Sequence, residues 1–272
     1  MCPSLIQIKN EGVKRMNALS LFDLKGKTAI VTGGGRGLGK QMAHAFADAG
    51  ANLVLCSRKV EACNEVAEEL KAKGVNAIAA ACDVTSKEDV DRVIKQAVDT
   101  FGSIDILVNN SGATWGAPAD EMPLEAWNKV MNVNVTGSFL MAQAAGKVMI
   151  KQQSGKIINI ASVAGLGGAD PRFMDTIGYN TSKGAVITFT KDLATKWGQY
   201  GINVNAIAPG FFPTKMSKGL LAKGESFVID RTPLKRLGGE QDLQGATLFL
   251  ASAASNFVTG EVIVVDGGMH AM

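Results

Sequence analysis

Seven short, almost continuously apolar runs recur along this chain, and they restrict its fold more than any other feature. They are Thr28–Thr32, Asn52–Cys56, Asn76–Cys82, Ile104–Asn109, Lys156–Ala161, Asn203–Ala208 and Val262–Asp266. A strand wetted on one face alternates apolar with polar residues, so a run without alternation marks a strand covered on both faces. The stretches between the runs carry a helical period instead. In Ser86–Phe101, residues Val90, Val93, Ile94, Ala97, Val98 and Phe101 follow the i, i+3, i+4, i+7 rule, and Thr85 with Glu88 reads as a capping box. Val60, Val66, Ala67 and Leu70 mark a second helix; Val186, Phe189, Leu193 and Trp197 mark a third. Strand–helix alternation repeated this often predicts an α/β fold with a doubly wound parallel sheet of about seven strands.

The runs and their crossovers extend from about Lys25 to Asp266, which leaves no room for a second domain. The expected organisation is an N-terminal extension over 1–24 and a single catalytic domain over 25–272. Thr214–Thr232 has no clear periodicity, and a long connection of that kind in a compact domain reads as a lid.

Composition excludes several classes of function. The 28 basic and 25 acidic residues are interspersed, so no basic stripe for nucleic acid emerges. No stretch approaches the ~20 apolar residues of a membrane-spanning helix. The N-terminus offers only Leu5–Ile8 as an apolar core, too little for a secretory signal. Cys2, Cys56, Cys63 and Cys82 form no CxxC pair, and His44 and His270 lie far apart, so no metal site is expected. The expectation is a cytoplasmic protein with reduced, buried thiols and no nucleic-acid or membrane partner.

The 31 glycines are gathered in clusters, and the first follows the first strand directly: Thr32-Gly33-Gly34-Gly35-Arg36-Gly37-Leu38-Gly39. A strand that feeds a glycine turn into a helix N-terminus makes an anion site, because free backbone N–H groups and the helix dipole both favour a pyrophosphate. Sites for NAD place a carboxylate at the end of the second strand to hold the ribose hydroxyls. This chain has Cys56-Ser57-Arg58 there, with Arg36 inside the turn. Two guanidiniums in place of a carboxylate suit a 2′-phosphate, so NADP(H) is the expected cofactor rather than NAD(H).

Taken with Asp83-Val84, Asn109-Asn110-Ser111-Gly112, Asn134, Ser162, Tyr179-x-x-x-Lys183, Pro209-Gly210 and Thr214, this turn makes the chain resemble the short-chain dehydrogenase/reductase family from Lys25 to Gly268. The resemblance implies a Rossmann-type fold, a homotetramer packed through helices around Met131–Gln152 and Tyr179–Tyr200, and oxidation or reduction at a carbonyl or secondary alcohol carbon. Tyr179 and Lys183 are four apart on one helix face. A phenol can donate the proton that a forming alkoxide needs, and a neighbouring ammonium is expected to lower its pKa. By resemblance, Lys183 also holds the nicotinamide ribose, Ser162 bonds the substrate oxygen and Asn134 holds a water that relays protons to Lys183. Gly33, Gly35, Arg36, Gly37, Leu38, Gly39, Ser57, Arg58, Asp83, Val84, Asn110, Ser111, Gly112, Pro209, Gly210, Phe212 and Thr214 complete the implied cofactor site.

Ser111 stands where the family usually has alanine. Ser162 and Tyr179 are also further apart than the family usually keeps them, and the extra loop Gly167–Asp175 is expected to overhang the substrate pocket, with Arg172 a candidate for meeting an anionic substrate. Trp115, Met122, Phe173, Met174, Phe211, Phe212 and Met216 are candidates for an apolar pocket. The substrate is expected to be a small carbonyl or alcohol, free or carried on a thioester. The overall pattern is most similar to 3-oxoacyl thioester reductases that use NADPH. Sugar-acid dehydrogenases of the gluconate 5-dehydrogenase type are the alternative, and a regulator that senses NADP(H) without turnover is a third.

Overall fold

The computed structural model describes residues 17–272; the first sixteen residues of the expected extension, Cys2 among them, lie outside the described part. Seven strands form one parallel sheet: β1 (Thr28–Thr32), β2 (Asn52–Ser57), β3 (Ala77–Ala81), β4 (Ile106–Asn109), β5 (Gly155–Ile160), β6 (Ile202–Pro209) and β7 (Val262–Val265). Their order is β3-β2-β1-β4-β5-β6-β7, so the direction of winding reverses between β1 and β4. Each strand coincides with a predicted apolar run to within two residues at either end. Helices α1 (Gly37–Asp48), α2 (Glu61–Lys71), α3 (Lys87–Phe101), α4 (Leu124–Met131), α5 (Gly137–Gln152), α6 (Ile177–Trp197), α7 (Lys218–Arg231) and α8 (Gln244–Ala251) make the crossovers and flanks.

Side-chain alternation along each strand builds two cores. Ala29 and Val31 of β1 and Leu53 and Leu55 of β2 face α1, α2 and α8 through Met42, Phe46, Val66, Leu70 and Leu250. Ile30 and Val54 point the other way and meet α3, α5 and α6 through Val93, Met141, Met149 and Leu193. Every residue of β1 is buried. Burial of each such large side chain stabilises the fold by roughly 1.5–3 kcal/mol. The packed body begins slightly before the expected boundary: Leu24 is buried in the first core, and its N–H donates to the Ala49 carbonyl at 2.9 Å.

Two local expectations are corrected, and one irregular turn is added. Helix α3 is capped one residue later than expected, by the Ser86 hydroxyl accepting from the Asp89 N–H, while Thr85 donates to Asp83 instead. The segment 214–232 is largely the helix α7, broken at Gly224. Between α4 and α5 the chain makes a π-helical turn, Asn132–Thr136.

Polar side chains also cross the interior. Asn109 on β4 donates to the Asn159 carbonyl oxygen on β5 at 2.9 Å, and Asn159 donates to Thr190 on α6 at 2.9 Å. At the opposite end of the sheet the Lys156 ammonium donates to Asn203 and Asn256 at 2.9 Å each. No carboxylate offsets its burial, which holds its pKa down at about 8.

Candidate active site

In open α/β sheets a ligand crevice lies beyond the carboxyl ends of the strands, where the winding reverses. Here that point is the end of β1, where the glycine turn runs into α1. Backbone crowding there excludes side chains: a Cβ on Gly39 would stand 2.2 Å from the Gly33 carbonyl oxygen, and one on Gly35 would stand 2.7 Å from the Ala62 carbonyl carbon. Thr32 ties the turn to the β4 loop, its hydroxyl accepting from the Asn110 and Ser111 N–H groups at 2.9 Å each. Asn110 donates back to the Thr32 carbonyl at 2.8 Å. The Thr214 methyl faces Gly37 from across the crevice, 3.4 Å from where its Cβ would be.

Arg36, the residue before α1, and Arg58, just past β2, are both exposed, and among the described residues neither forms an ion pair. Ser57 lies between them, donating to the Lys59 carbonyl at 2.6 Å and accepting from Cys63 at 3.4 Å. Further along the strand ends, Asp83 accepts from the Thr85 N–H at 3.0 Å, and Val84 packs on Gly137. Cys56, Cys63 and Cys82 are free and buried.

The expected catalytic side chains Ser162, Tyr179 and Lys183 converge on the end of β5. Lys183 is 5% exposed; its ammonium donates to the Ile160 carbonyl at 2.6 Å and lies 5.6 Å from the centre of the Tyr179 ring. Burial lowers the Lys183 pKa to about 8. Burial also pushes the Tyr179 phenol above its usual value, with a hydrogen bond from Ser162 working against it. Ser162 ends β5 and accepts from the Ala164 N–H at 3.1 Å. Asn134, in the π-helical turn, is 1% exposed. Its carboxamide accepts from the Ala113 N–H at 2.7 Å and donates to the Ala113 carbonyl and to Ser182.

Three loops close over these groups. Ala117 bridges Thr176 and donates to the Asp175 carbonyl at 3.0 Å, pinning the inserted loop to the one after β4. The Met216 methyl approaches Gly112, 3.7 Å from where its Cβ would be.

The sequence profile described as Enoyl-(Acyl carrier protein) reductase matches residues 33–270. The chain belongs to the short-chain dehydrogenase/reductase family. It is accordingly an oxidoreductase acting on CH–OH groups. Among its relatives, the gluconate 5-dehydrogenase of Gluconobacter oxydans is 39% identical over 256 residues, covering 93% of this chain and 98% of that one. A 3-oxoacyl-[acyl-carrier-protein] reductase of Synechocystis is 40% identical over 248 residues, covering 90% and 98%. The crystal structure of a gluconate 5-dehydrogenase from Burkholderia cenocepacia in complex with NADP and tartrate superposes with a TM-score of 0.89 at 39% identity, covering 94% of this chain and all of that one.

Within this short-chain dehydrogenase/reductase, the geometry bears on five of the expected residues. The phenol of Tyr179 is raised rather than lowered, because burial outweighs Ser162 and the Lys183 ammonium is turned to the Ile160 carbonyl. The Asn134 carboxamide has both N–H groups engaged by protein, which ties its side chain to the loop at Ala113 and to Ser182. Phe212 is 5% exposed with its ring packed over Gly238, so the side chain belongs to the core; only its backbone faces the loop. Arg172 folds back on Asp170, with Nε 3.0 Å from one carboxylate oxygen. Met122 packs with Trp127 on the backbone of Gly178 rather than over the reacting groups.

Sequence reading also missed two hydroxyls. Thr32 orders the start of the crevice, and Ser182 joins Asn134 to the Tyr179 carbonyl, to which it donates at 2.7 Å. Its place directly before Lys183, inside the Tyr-x-x-x-Lys spacing, was the available signal.

Proposed function

We propose that this enzyme uses NADPH to reduce a ketone flanked by an apolar chain, of the 3-oxoacyl thioester type. The observation that carries the reading is the grouping of Ser162, Tyr179 and Lys183 at the end of β5, across the crevice from a backbone cradle. That cradle fits a dinucleotide: Gly35 and Gly39 leave room for no side chain, and Arg36 and Arg58 stand unpaired where a 2′-phosphate would lie. Solved relatives with NADP support the choice of cofactor.

When bound, the nicotinamide supplies the hydride. The Ser162 hydroxyl donates a hydrogen bond to the carbonyl oxygen and stabilises the charge that develops there. Tyr179 gives its phenolic proton to the same oxygen. The phenol holds its proton at neutral pH, as a general acid for reduction requires. Lys183, with its pKa near 8, carries a proton it can lose close to neutral pH. Ser182 and Asn134 join the Tyr179 carbonyl to the Ala113 backbone beside it. Gly33, Gly37, Leu38 and Gly39 supply the cradle, Ser57 with the two arginines holds the 2′-phosphate, and Asp83 and Val84 flank the adenine. Asn110, Ser111 and Gly112 line the adenosine half; Pro209, Gly210, Phe212 through its backbone, and Thr214 line the nicotinamide half.

A second reading, a sugar-acid dehydrogenase, is favoured by the gluconate 5-dehydrogenases at similar identity. We favour the apolar substrate because Phe173, Phe211 and Met216 rim the crevice and Arg172 is occupied. The exposed Phe139 ring, stacked edge-on to Phe189 between α5 and α6, supports assembly into a homotetramer through those helices. A panel of 3-oxoacyl thioesters, 5-keto-gluconate and simple diketones, followed by NADPH oxidation, tests the reading. Turnover of the thioesters is expected to lead; a lead for 5-keto-gluconate overturns the substrate assignment, and no turnover at all overturns the enzyme's proposed direction and cofactor.

A further inference from the structure

The inserted loop and the broken helix meet through three aromatic rings. Phe173, from the insertion, stacks edge-on with Phe211 at 5.5 Å between centroids and tilts against Phe227 of α7 at 5.1 Å. It therefore touches the segment after β6 and the helix that follows it at once. Gly224 makes space for this: a Cβ there would stand 2.9 Å from the Phe173 ring, and this is also where α7 breaks.

Charge reinforces the same junction. Asp170 accepts from the Arg172 backbone and guanidinium, and these hold its pKa at about 2, with Arg231 of α7 contributing. The Arg231 guanidinium rests 4.6 Å above the Phe227 ring. Cation, ring and carboxylate thus bring the insertion and α7 together, with the 112–117 loop pinned below by the Ala117–Asp175 bond.

We propose that Phe173 is a specificity-determining residue, which couples the insertion to α7 as an apolar roof and so favours ketones with an apolar chain over polyhydroxylated acids. The proposal rests on the ketone-reduction reading. Its physical basis is the cost of placing hydroxyl or carboxylate groups against a surface with no hydrogen-bond partner to offer. Because the ring touches neither the glycine cradle nor Lys183, it should alter substrate affinity without altering the cofactor.

The test combines steady-state kinetics with amide hydrogen exchange on the full-length protein. In Phe173→Ala, KM for a medium-chain 3-oxoacyl thioester should rise about tenfold, as expected from losing two aromatic contacts. NADPH affinity should stay within about twofold and kcat within about threefold, since the ring contacts no reacting group. Exchange across 218–231 should quicken, and Phe173→Leu should recover part of both effects. Gly224→Ala, which leaves the ring but displaces it, should raise KM in the same direction. An unchanged KM in Phe173→Ala, or a parallel loss of NADPH affinity, overturns the proposal. If exchange quickens but the wild-type enzyme reduces no ketone in the panel, the functional reading falls and this proposal falls with it. If the wild type reduces ketones and the thioester-to-sugar-acid ratio is the same in Phe173→Ala, the proposal alone falls.

Discussion

The two walls of the crevice are built by different means. The wall at β1–β3 is made of backbone: a Cβ at Gly35 or Gly39 would collide with main-chain atoms, and every residue of β1 beneath is buried. The wall at β5–β7 is made of side chains: a phenol and an ammonium on α6, the Ser162 hydroxyl, and aromatics brought from an insertion, the segment after β6 and a broken helix. A backbone wall fits one shape and accepts few substitutions. A side-chain wall sets which molecule reacts and can change residue by residue.

That contrast can be broken at several points. The largest effect is expected on the side-chain wall: Tyr179→Phe should keep NADPH binding and lose at least roughly a hundredfold in turnover, the worth of a positioned proton donor. Stopped-flow binding with steady-state rates checks it, and near-normal turnover refutes the assignment. On the backbone wall, Gly39→Ala should do the opposite. It should lower stability by about 1–3 kcal/mol and weaken the cofactor, because the methyl has nowhere to go; thermal melting and fluorescence titration report both. A melting point and NADPH affinity like the wild type would show that the turn yields more easily than its geometry suggests.

Between the walls, Arg58→Ala should weaken NADPH about tenfold and NADH much less, as expected for a lost charge-assisted contact to phosphate. Equal losses would place Arg58 away from the 2′-phosphate. The smallest expected effect lies outside the crevice. Burial holds Lys156 and Lys183 at about 8, below the ordinary lysine value. From about pH 8 to pH 10 the unfolded chain therefore binds more protons than the folded one, and these two groups make stability rise with pH. Lys156→Met should remove its share of that rise in urea unfolding at about pH 7.5 and about pH 9.5. An undiminished rise would show that Lys156 titrates like a surface lysine.

The same contrast explains what could be read from sequence. Strands such as Thr28–Thr32 and Ile106–Asn109 were legible because burial on both faces leaves an unbroken apolar run. The cradle was legible because crowded backbone demands glycine. Helix α7 was not: among its described side chains only Leu221 and Val228 are buried, and Gly224 interrupts it, so no helical period survives. The cap at Ser86 was misplaced because Thr85 offers the same hydroxyl one residue earlier, and only the fold decides which N–H it meets. The direction of the Tyr179 pKa also escaped the sequence, since spacing tells that an ammonium is near but not which oxygen it has chosen.

One interior feature has reach beyond its own size. Asn109 and Asn159 stand opposite each other across β4 and β5, and their carboxamides meet only at that offset. Sliding either strand by one residue would turn its amide into the other layer and leave the partner stranded without water. The pair works as a gauge mark. It sets how high the tip of β5, and with it Ser162, stands against the tip of β4 and the loop at Asn110, so the distance across the crevice is fixed from deep inside the protein before any ligand arrives.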